Sequence, residues 1–265
     1  MNTIQAILLG ALQGATEFLP VSSSGHLVVT KELFGVSDVP VLFDVLLHVA
    51  TLVAVVVVLR EQVMAFLVAI ARLVRREVRP QDRPYLHLIP IIIVTTALTG
   101  VFGIGLDHYF DIRNPVTTSG LFLVTAVLLV LTRWSRGGRT LEQINWVDAG
   151  ILGIAQGFGV LPGISRSGIT ISTALYSGMD RKTAGEYSFL LSIPAILGAL
   201  VLTLRDAGQL ESQVGLGTVL AGCVAAAAVG FLALKFLLRV VRAGRIYLFA
   251  IYLVPLGIWG LFYFR

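Results

Sequence analysis

Residues 13–26 read QGATEFLPVSSSGH, and residues 156–169 read QGFGVLPGISRSGI. Each stretch opens on Gln-Gly, passes through Leu-Pro and closes on Ser-x-Ser-Gly, and Gln13 to Gly25 spans the same length as Gln156 to Gly168. Pro20 and Pro162 lack a backbone donor, and Gly25, Gly163 and Gly168 loosen the chain, so neither stretch continues a regular helix. The residues that follow echo each other: Phe43, Leu46 and Leu47 stand where the second copy has Tyr187, Leu190 and Leu191. The chain therefore contains a duplicated unit of about half its length.

The rest of the sequence sets these stretches in a membrane. Of 265 residues, 56% are hydrophobic and 13% charged, and the mean hydropathy is +0.88. That leaves too few polar side chains to cover a soluble surface. Six apolar runs are long enough for a hydrocarbon core of roughly 30 Å: Val41–Leu59, Tyr85–Leu106, Val116–Thr132, Tyr187–Leu204, Gly217–Leu234 and Ile246–Phe264. The alternation of a transmembrane barrel is absent. Cys223 is the single cysteine, which excludes a disulfide framework and a thiolate metal site. The net charge of +5 comes from basic residues in short loops, so topology explains it better than nucleic-acid binding. Met1 to Gly10 lacks a basic flank and reads as mature sequence rather than a signal peptide. The small residues from Gly217 to Gly230 suit close helix packing.

Alternate loops carry the arginines. One holds Arg60, Arg72, Arg75, Arg76, Arg79 and Arg83; another holds Arg133, Arg136 and Arg139; later come Arg181 with Lys182, and Lys235, Arg239, Arg242 and Arg245. The other side holds Lys31, Arg113, Arg205 and Arg265. The asymmetry puts the arginine-rich loops in the cytoplasm and both termini outside. The broken stretches then start and end on one side each, the first outside and the second inside. The expectation is an all-α polytopic membrane protein with six transmembrane helices and two re-entrant helical hairpins, at about 2–36 and 144–178. These form an inverted-topology repeat within one domain, with copies at 1–135 and 140–265. The alternative is a pair of kinked spanning helices. Met64–Val74 reads either as an amphipathic surface helix or as a loop.

Polar residues at membrane depth concentrate in the broken stretches, and an ionisable group there points to function. The second stretch reads as an anion cradle. Arg166 offers a planar fork of donors, Ser165, Ser167 and Thr170 add hydroxyls, and a helix starting near Ser165 would present free N–H groups. An ion pair between Arg166 and Glu17 is a second reading, compatible with the first. The first stretch reads as the reactive half. Gln13 and Glu17 share a helix face. Glu17 suits a divalent cation or a base, Ser22, Ser23 and Ser24 are candidate nucleophiles, and His26 is a candidate acid or base or a structural donor. Asp44 and His48 read as packing or supporting residues.

At these residues the chain resembles the undecaprenyl-diphosphate phosphatase family, the bacitracin-resistance proteins. Gln13 and Glu17 match its Glu/Gln-x-x-x-Glu motif, which runs into FLPVSSSGH at 18–26. Pro162, Gly163, Ser165, Arg166, Ser167 and Thr170 match its Pro-Gly-x-Ser-Arg-Ser-x-x-Thr motif. Gln13 stands where many relatives carry Glu, which shifts the role of base to Glu17. The resemblance implies hydrolysis of a polyprenyl diphosphate lipid to the monophosphate and phosphate, recycling a carrier for peptidoglycan. It also implies a divalent cation, Mg2+ or Ca2+, held by Glu17, and a site opening to the outer face of the cytoplasmic membrane. On this reading Glu17, Ser23, His26 and Arg166 are catalytic, and Gln13, Ser22, Ser24, Ser165, Arg166, Ser167 and Thr170 bind substrate. Ser23 is the expected nucleophile, with His26 or Glu17 handling its proton; direct attack by an activated water is the alternative. The expected partners are the substrate and membrane lipids, not nucleic acid, and a homodimer stays open. A transporter or lipid flippase built on the same repeat is the rival reading.

Overall fold

A computed structural model describes residues 1–34, 41–109, 114–204 and 214–265. Arg113 and Arg205, two charges assigned to the outer side, and the side chain of Asp107 lie outside the described residues. Among the described residues the chain forms eleven α-helices: α1 (Thr3–Phe18), α2 (Ser23–Phe34), α3 (Val41–Val58), α4 (Arg60–Val74), α5 (Arg83–Tyr109), α6 (Pro115–Leu131), α7 (Trp146–Phe158), α8 (Arg166–Tyr176), α9 (Arg181–Thr203), α10 (Leu216–Arg242) and α11 (Ala250–Tyr263).

Five helical stretches are long and apolar enough to cross a membrane, with α5, α6, α9, α10 and α11 at their centres. A sixth arises if α3 and α4 count as one span, but the chain bends by 86° between them. The Met64–Val74 segment is thus helical, and α4 begins four residues earlier, at Arg60. Met64, Leu67 and Val74 stay exposed on it while Ala69 is buried.

The duplicated stretches form the short helices. α1, α2, α7 and α8 have 16, 12, 13 and 11 residues, hence lengths between about 16 and 24 Å at 1.5 Å per residue. None reaches the roughly 30 Å of a hydrocarbon core. The break after α1 holds Pro20 and Ser22, whose φ of 67° is left-handed; the break after α7 holds Gly163, with φ 101°. A Cβ at Gly163 would meet the Thr118 carbonyl and the Leu121 side chain, so only glycine fits there.

The second pair leaves from and returns to one place. The Arg139 guanidinium donates to both Asp148 carboxylate oxygens, at 3.0 and 2.6 Å, near the start of α7. It also donates at 2.8 Å to the Ser177 carbonyl at the end of α8. The Asp148 hydrogen bonds hold Arg139 protonated even more firmly than usual. Gly138 and Arg139 N–H groups donate to the Gly178 carbonyl, and Asp180 N–H donates to the Arg139 carbonyl.

Packing crosses between the halves. α1 lies on α10, and α7 lies on α5; α3 meets α10 and α9 meets α5; α3 also meets α9, and α6 meets α11. The close approaches use a Gly-x-x-x-Gly step in each half, Gly10 with Gly14 and Gly153 with Gly157. A Cβ on Gly14 would stand 2.8 Å from the Gly230 nitrogen, and one on Gly153 would stand 2.8 Å from the Leu98 Cβ. The small-residue run at Gly217–Gly230 therefore packs against α1, through Gly222, Ala226 and Gly230.

Gly14→Leu should separate α1 from α10. The expected result is destabilisation on the overpacking scale of about 1–3 kcal/mol, read as a lower thermal midpoint of the purified protein in detergent. An unchanged midpoint would remove the close contact.

Candidate active site

The two breaks meet. Ser22 Oγ accepts from the Gly163 N–H at 2.9 Å, linking the breaks directly. Ser167 Oγ donates to the Leu19 carbonyl at 3.4 Å. A Cβ on Gly25 would lie 2.7 Å from Gly163 N, so glycine is what lets the two chains approach. Thr125 of α6 braces the second break from outside: its hydroxyl donates to the Gly163 carbonyl at 2.8 Å and accepts from the Ser165 N–H at 3.1 Å.

The start of each second helix has the same form. Ser22 precedes α2 and accepts from the Gly25 N–H at 3.3 Å; Ser165 precedes α8 and accepts from the Gly168 N–H at 3.0 Å. Serine suits this position because its hydroxyl satisfies a backbone donor that the helix leaves free. One residue on, Ser23 and Arg166 occupy matching places, and both point at Glu17.

Glu17 is the centre of the cluster and is 5% exposed. Arg166 Nη2 is hydrogen-bonded and ion-paired to Glu17 Oε1. Ser23 Oγ donates to Glu17 Oε2 at 2.6 Å, and Gln13 Nε2 donates to the same oxygen at 2.8 Å. His48 of α3 brings Nε2 to 3.3 Å from it. These contacts hold the Ser23 hydroxyl against an ionised carboxylate that Arg166 neutralises. The Ser23 hydroxyl lies on the first residue of α2, where free N–H groups favour an anion.

His26 takes a different place from the one its sequence neighbours suggest. Its Nδ1 lies 2.8 Å from the Ser22 carbonyl and its Nε2 2.8 Å from the Tyr252 hydroxyl of α11. A carbonyl only accepts, so Nδ1 carries hydrogen, and in the neutral ring Nε2 accepts from Tyr252. The imidazole also stacks on Tyr252 and meets Phe122 edge-on. These contacts orient it, and its hydrogen bonds go to neither Ser23 nor Glu17.

Three hydroxyls do more framework work than the sequence suggests. Ser22 and Ser165 hold backbone donors, as above. Thr170, expected to face the anion, is 1% exposed; it donates to the Arg166 carbonyl at 2.8 Å and hydrogen-bonds to Ser188 of α9. Its hydroxyl joins α8 to α9 rather than facing the Glu17 cluster. Ser24, half-buried and 3.5 Å from Ser22 Oγ, and Ser167, 3.2 Å from Ser165 Oγ, stand beside the helix starts.

Sequence reasoning missed or underweighted four residues. His48 and Asp44 carry a signal, a histidine and an acid one turn apart in an apolar span. Their geometry continues it: His48 Nδ1 bonds the Asp44 carbonyl at 2.8 Å, and Lys31 pairs with Asp44 at 2.5 Å. Thr125 and Tyr252 sit in apolar runs with nothing nearby in sequence to mark them.

A divalent cation prefers oxygen ligands. Gln13 Oε1 is buried without a hydrogen-bond partner beside Glu17, so these two residues offer the oxygen donors such an ion takes. Among the described residues no three His, Cys, Asp or Glu side chains converge as a ligand cluster. The protein alone offers no full cage.

Known proteins match the chain over nearly its whole length. Residues 6–259 match the model of the family described as bacitracin resistance protein BacA. The chain is 43% identical over 264 residues to an undecaprenyl-diphosphatase of Treponema denticola, covering 100% of this chain and 98% of that one. It is 44% identical over 269 residues to one of Desulfosudis oleivorans, covering 97% of each. It is 40% identical over 267 residues to one of Korarchaeum cryptofilum, covering 97% of this chain and 98% of that one.

Replacing Thr125 by Val removes the brace on the second break and leaves a buried carbonyl and N–H unpaired. The expected cost is about 1–3 kcal/mol, seen as a lowered thermal midpoint that Thr125→Ser restores. Equal midpoints for the Val and Ser variants would show that the brace carries no stability.

Proposed function

The chain belongs to the bacitracin resistance protein BacA family, and from that premise we infer that it hydrolyses undecaprenyl diphosphate to undecaprenyl phosphate and inorganic phosphate, at the Glu17 cluster. It is a multi-pass membrane enzyme. The transporter reading gains no support from the relatives. The observation that carries the site assignment is that Glu17 holds Ser23 and Arg166 at once, one from each duplicated stretch.

The α1–α2 and α7–α8 pairs are re-entrant hairpins of an inverted repeat with copies at 1–135 and 140–265. Their short helices, the return of the second pair to Arg139 and the exchanged packing of the halves support this. The charge map places the arginine-rich ends in the cytoplasm and both termini outside. Lys31, Asp44 and His48 lead from that outer side to Glu17, and side chains of Asp44 and His48 are each 25% exposed. The site therefore opens to the outer face of the cytoplasmic membrane. The polyprenyl tail lies along the apolar spans.

In the free enzyme Glu17 neutralises Arg166. Substrate diphosphate competes for the guanidinium fork, with Ser24, Ser167 and the two helix starts adding donors around it. As Arg166 turns to phosphate, Glu17 loses a cationic partner and becomes the stronger base for Ser23. Ser23 Oγ attacks the terminal phosphorus, its proton passes to Glu17, and the bridging P–O bond breaks to release undecaprenyl phosphate. Water then hydrolyses the phosphoserine, releasing phosphate and restoring the serine. Arg166 offsets the charge spread over the transferred group, the main source of rate in phosphoryl transfer. Gln13 and Glu17 would hold a divalent cation, Mg2+ or Ca2+. When bound, it neutralises charge on the diphosphate. His26, fixed between Ser22 and Tyr252, holds the α2 start in place and thereby positions Ser23.

For Arg166→Lys, a point charge replaces the fork, and phosphate release from a polyprenyl diphosphate in detergent should fall by about 100- to 1000-fold. Near-normal release would take Arg166 out of the site. Brief reaction with substrate labelled in its terminal phosphate should leave label on Ser23. Substantial turnover by Ser23→Ala would assign the attack to water instead. Chelation should abolish release and added Mg2+ or Ca2+ restore it; full activity in chelator would dismiss the cation.

A further inference from the structure

Away from Glu17, a cavity of about 360 Å3 is lined by Ser135, Arg136, Asp180, Arg181, Lys182 and Arg242, among others. Its cations arrive from three separate segments: Arg136 from beyond α6, Arg181 and Lys182 from the start of α9, and Arg242 from the end of α10. The apolar spans centred on these helices end at Trp134, Arg181 and Arg242. The cavity thus lies at the level where three spans leave the hydrocarbon.

The charge in the cavity is not cancelled. Arg242 pairs with Glu186 at 3.0 Å, and the Asp180 carboxylate accepts from Thr183 N–H and hydroxyl at the α9 start. Among the described residues Arg136, Arg181 and Lys182 have no carboxylate partner. Topology alone calls for basic loops on one side, but it does not require three unpaired cations to converge on a hollow. The Arg181 guanidinium lies against Gly244, where φ is 69° and a Cβ would occupy the guanidinium's place.

A second hollow shares Ser135, Arg136 and Leu175 with the first and continues it past Leu131, Trp134 and Tyr176. These last three are 47%, 67% and 45% exposed. The result is a slot with a cationic end and an aromatic, apolar end at the membrane boundary. An indole or phenol ring at this depth suits the junction of headgroup and acyl chain. Converging Lys and Arg beside span ends suit a phosphate diester.

The geometry points to a binding site for an anionic phospholipid, with its headgroup phosphate among Arg136, Arg181 and Lys182 and its glycerol and upper acyl chain along Trp134 and Tyr176. The site is separate from the Glu17 cluster and does not depend on the phosphatase reading. Its chemistry, a phosphate held by guanidinium and ammonium donors, is shared with free phosphate. The apolar extension is what selects a lipid.

The test uses the full chain with Trp146→Phe and Trp259→Phe, which leaves Trp134 as its tryptophan. The protein is reconstituted in phosphatidylcholine vesicles doped with phosphatidylglycerol brominated near the top of its chains, or with equally brominated phosphatidylcholine. Phosphatidylglycerol should quench Trp134 at a concentration at least about fivefold lower, the gain expected for one cation near an anionic lipid. Arg136→Gln, Arg181→Gln and Lys182→Gln together should bring the two lipids to parity without changing quenching by phosphatidylcholine. Exposed Lys182→Gln alone should narrow the preference, and it serves should the triple variant fail to fold. Inorganic phosphate should not relieve quenching. Equal quenching of the parent by both lipids, or a preference that survives the substitutions, overturns the site. Relief by inorganic phosphate overturns the lipid assignment in favour of a free anion.

Discussion

The contact between Glu17 and Arg166 is the constraint on which the remaining structure turns. Each charge sits at the end of a short helix in an interior where an unpaired ion is costly. Gln13, Ser23 and His48 from its own half reach one Glu17 oxygen, and the other takes its guanidinium partner from the opposite half. The two breaks must therefore meet, and every strained feature nearby serves that meeting. Ser22 adopts a left-handed φ and receives the Gly163 N–H, Gly25 leaves room for the opposing backbone, and Thr125 holds both a carbonyl and an N–H of the second break. The freed backbone groups are thus turned inward, as a hydrocarbon surrounding demands.

The first helix of each broken stretch rests on a longer helix. α1 lies on α10 and α7 on α5, each through a glycine step that brings backbones together. The longer helices belong to opposite halves, so each half supports the other's hairpin. This exchange makes the site a product of the whole chain and fixes the distance between the breaks more firmly than a loop connection would.

Much of this was legible in the sequence, and the limits have physical causes. The duplicated Gln-Gly, Leu-Pro and Ser-x-Ser-Gly steps gave away the paired breaks because proline and glycine act locally on the backbone. Glu17 and Arg166 stood out because charges are scarce at membrane depth. The small-residue run at Gly217–Gly230 announced close packing, but not that its partner would be α1, since a contact between distant segments leaves no local mark. The 86° bend between α3 and α4 was hidden for a related reason: Arg60 marks the end of a span without saying where the chain goes next. Thr125 and Tyr252 look like ordinary residues of apolar spans, and His26, readable as an acid, a base or a structural donor, carries no sequence mark of its hold by Ser22 and Tyr252.

The two copies show how one local geometry takes two chemical roles. In both, a serine caps a helix and the next residue points inward. Ser23 in the first copy offers the oxygen proposed to attack, while Arg166 in the second offers the donors proposed to hold the anion. Glu17 has no acidic counterpart, because its place in the second copy falls to Val160. A second carboxylate there would repel the diphosphate and compete for Arg166. A valine leaves the guanidinium with one internal anion, which substrate can displace. On the proposed mechanism, the asymmetry of a single position lets a duplicated scaffold form one site in which the same carboxylate guards the clamp when empty and serves the nucleophile when filled.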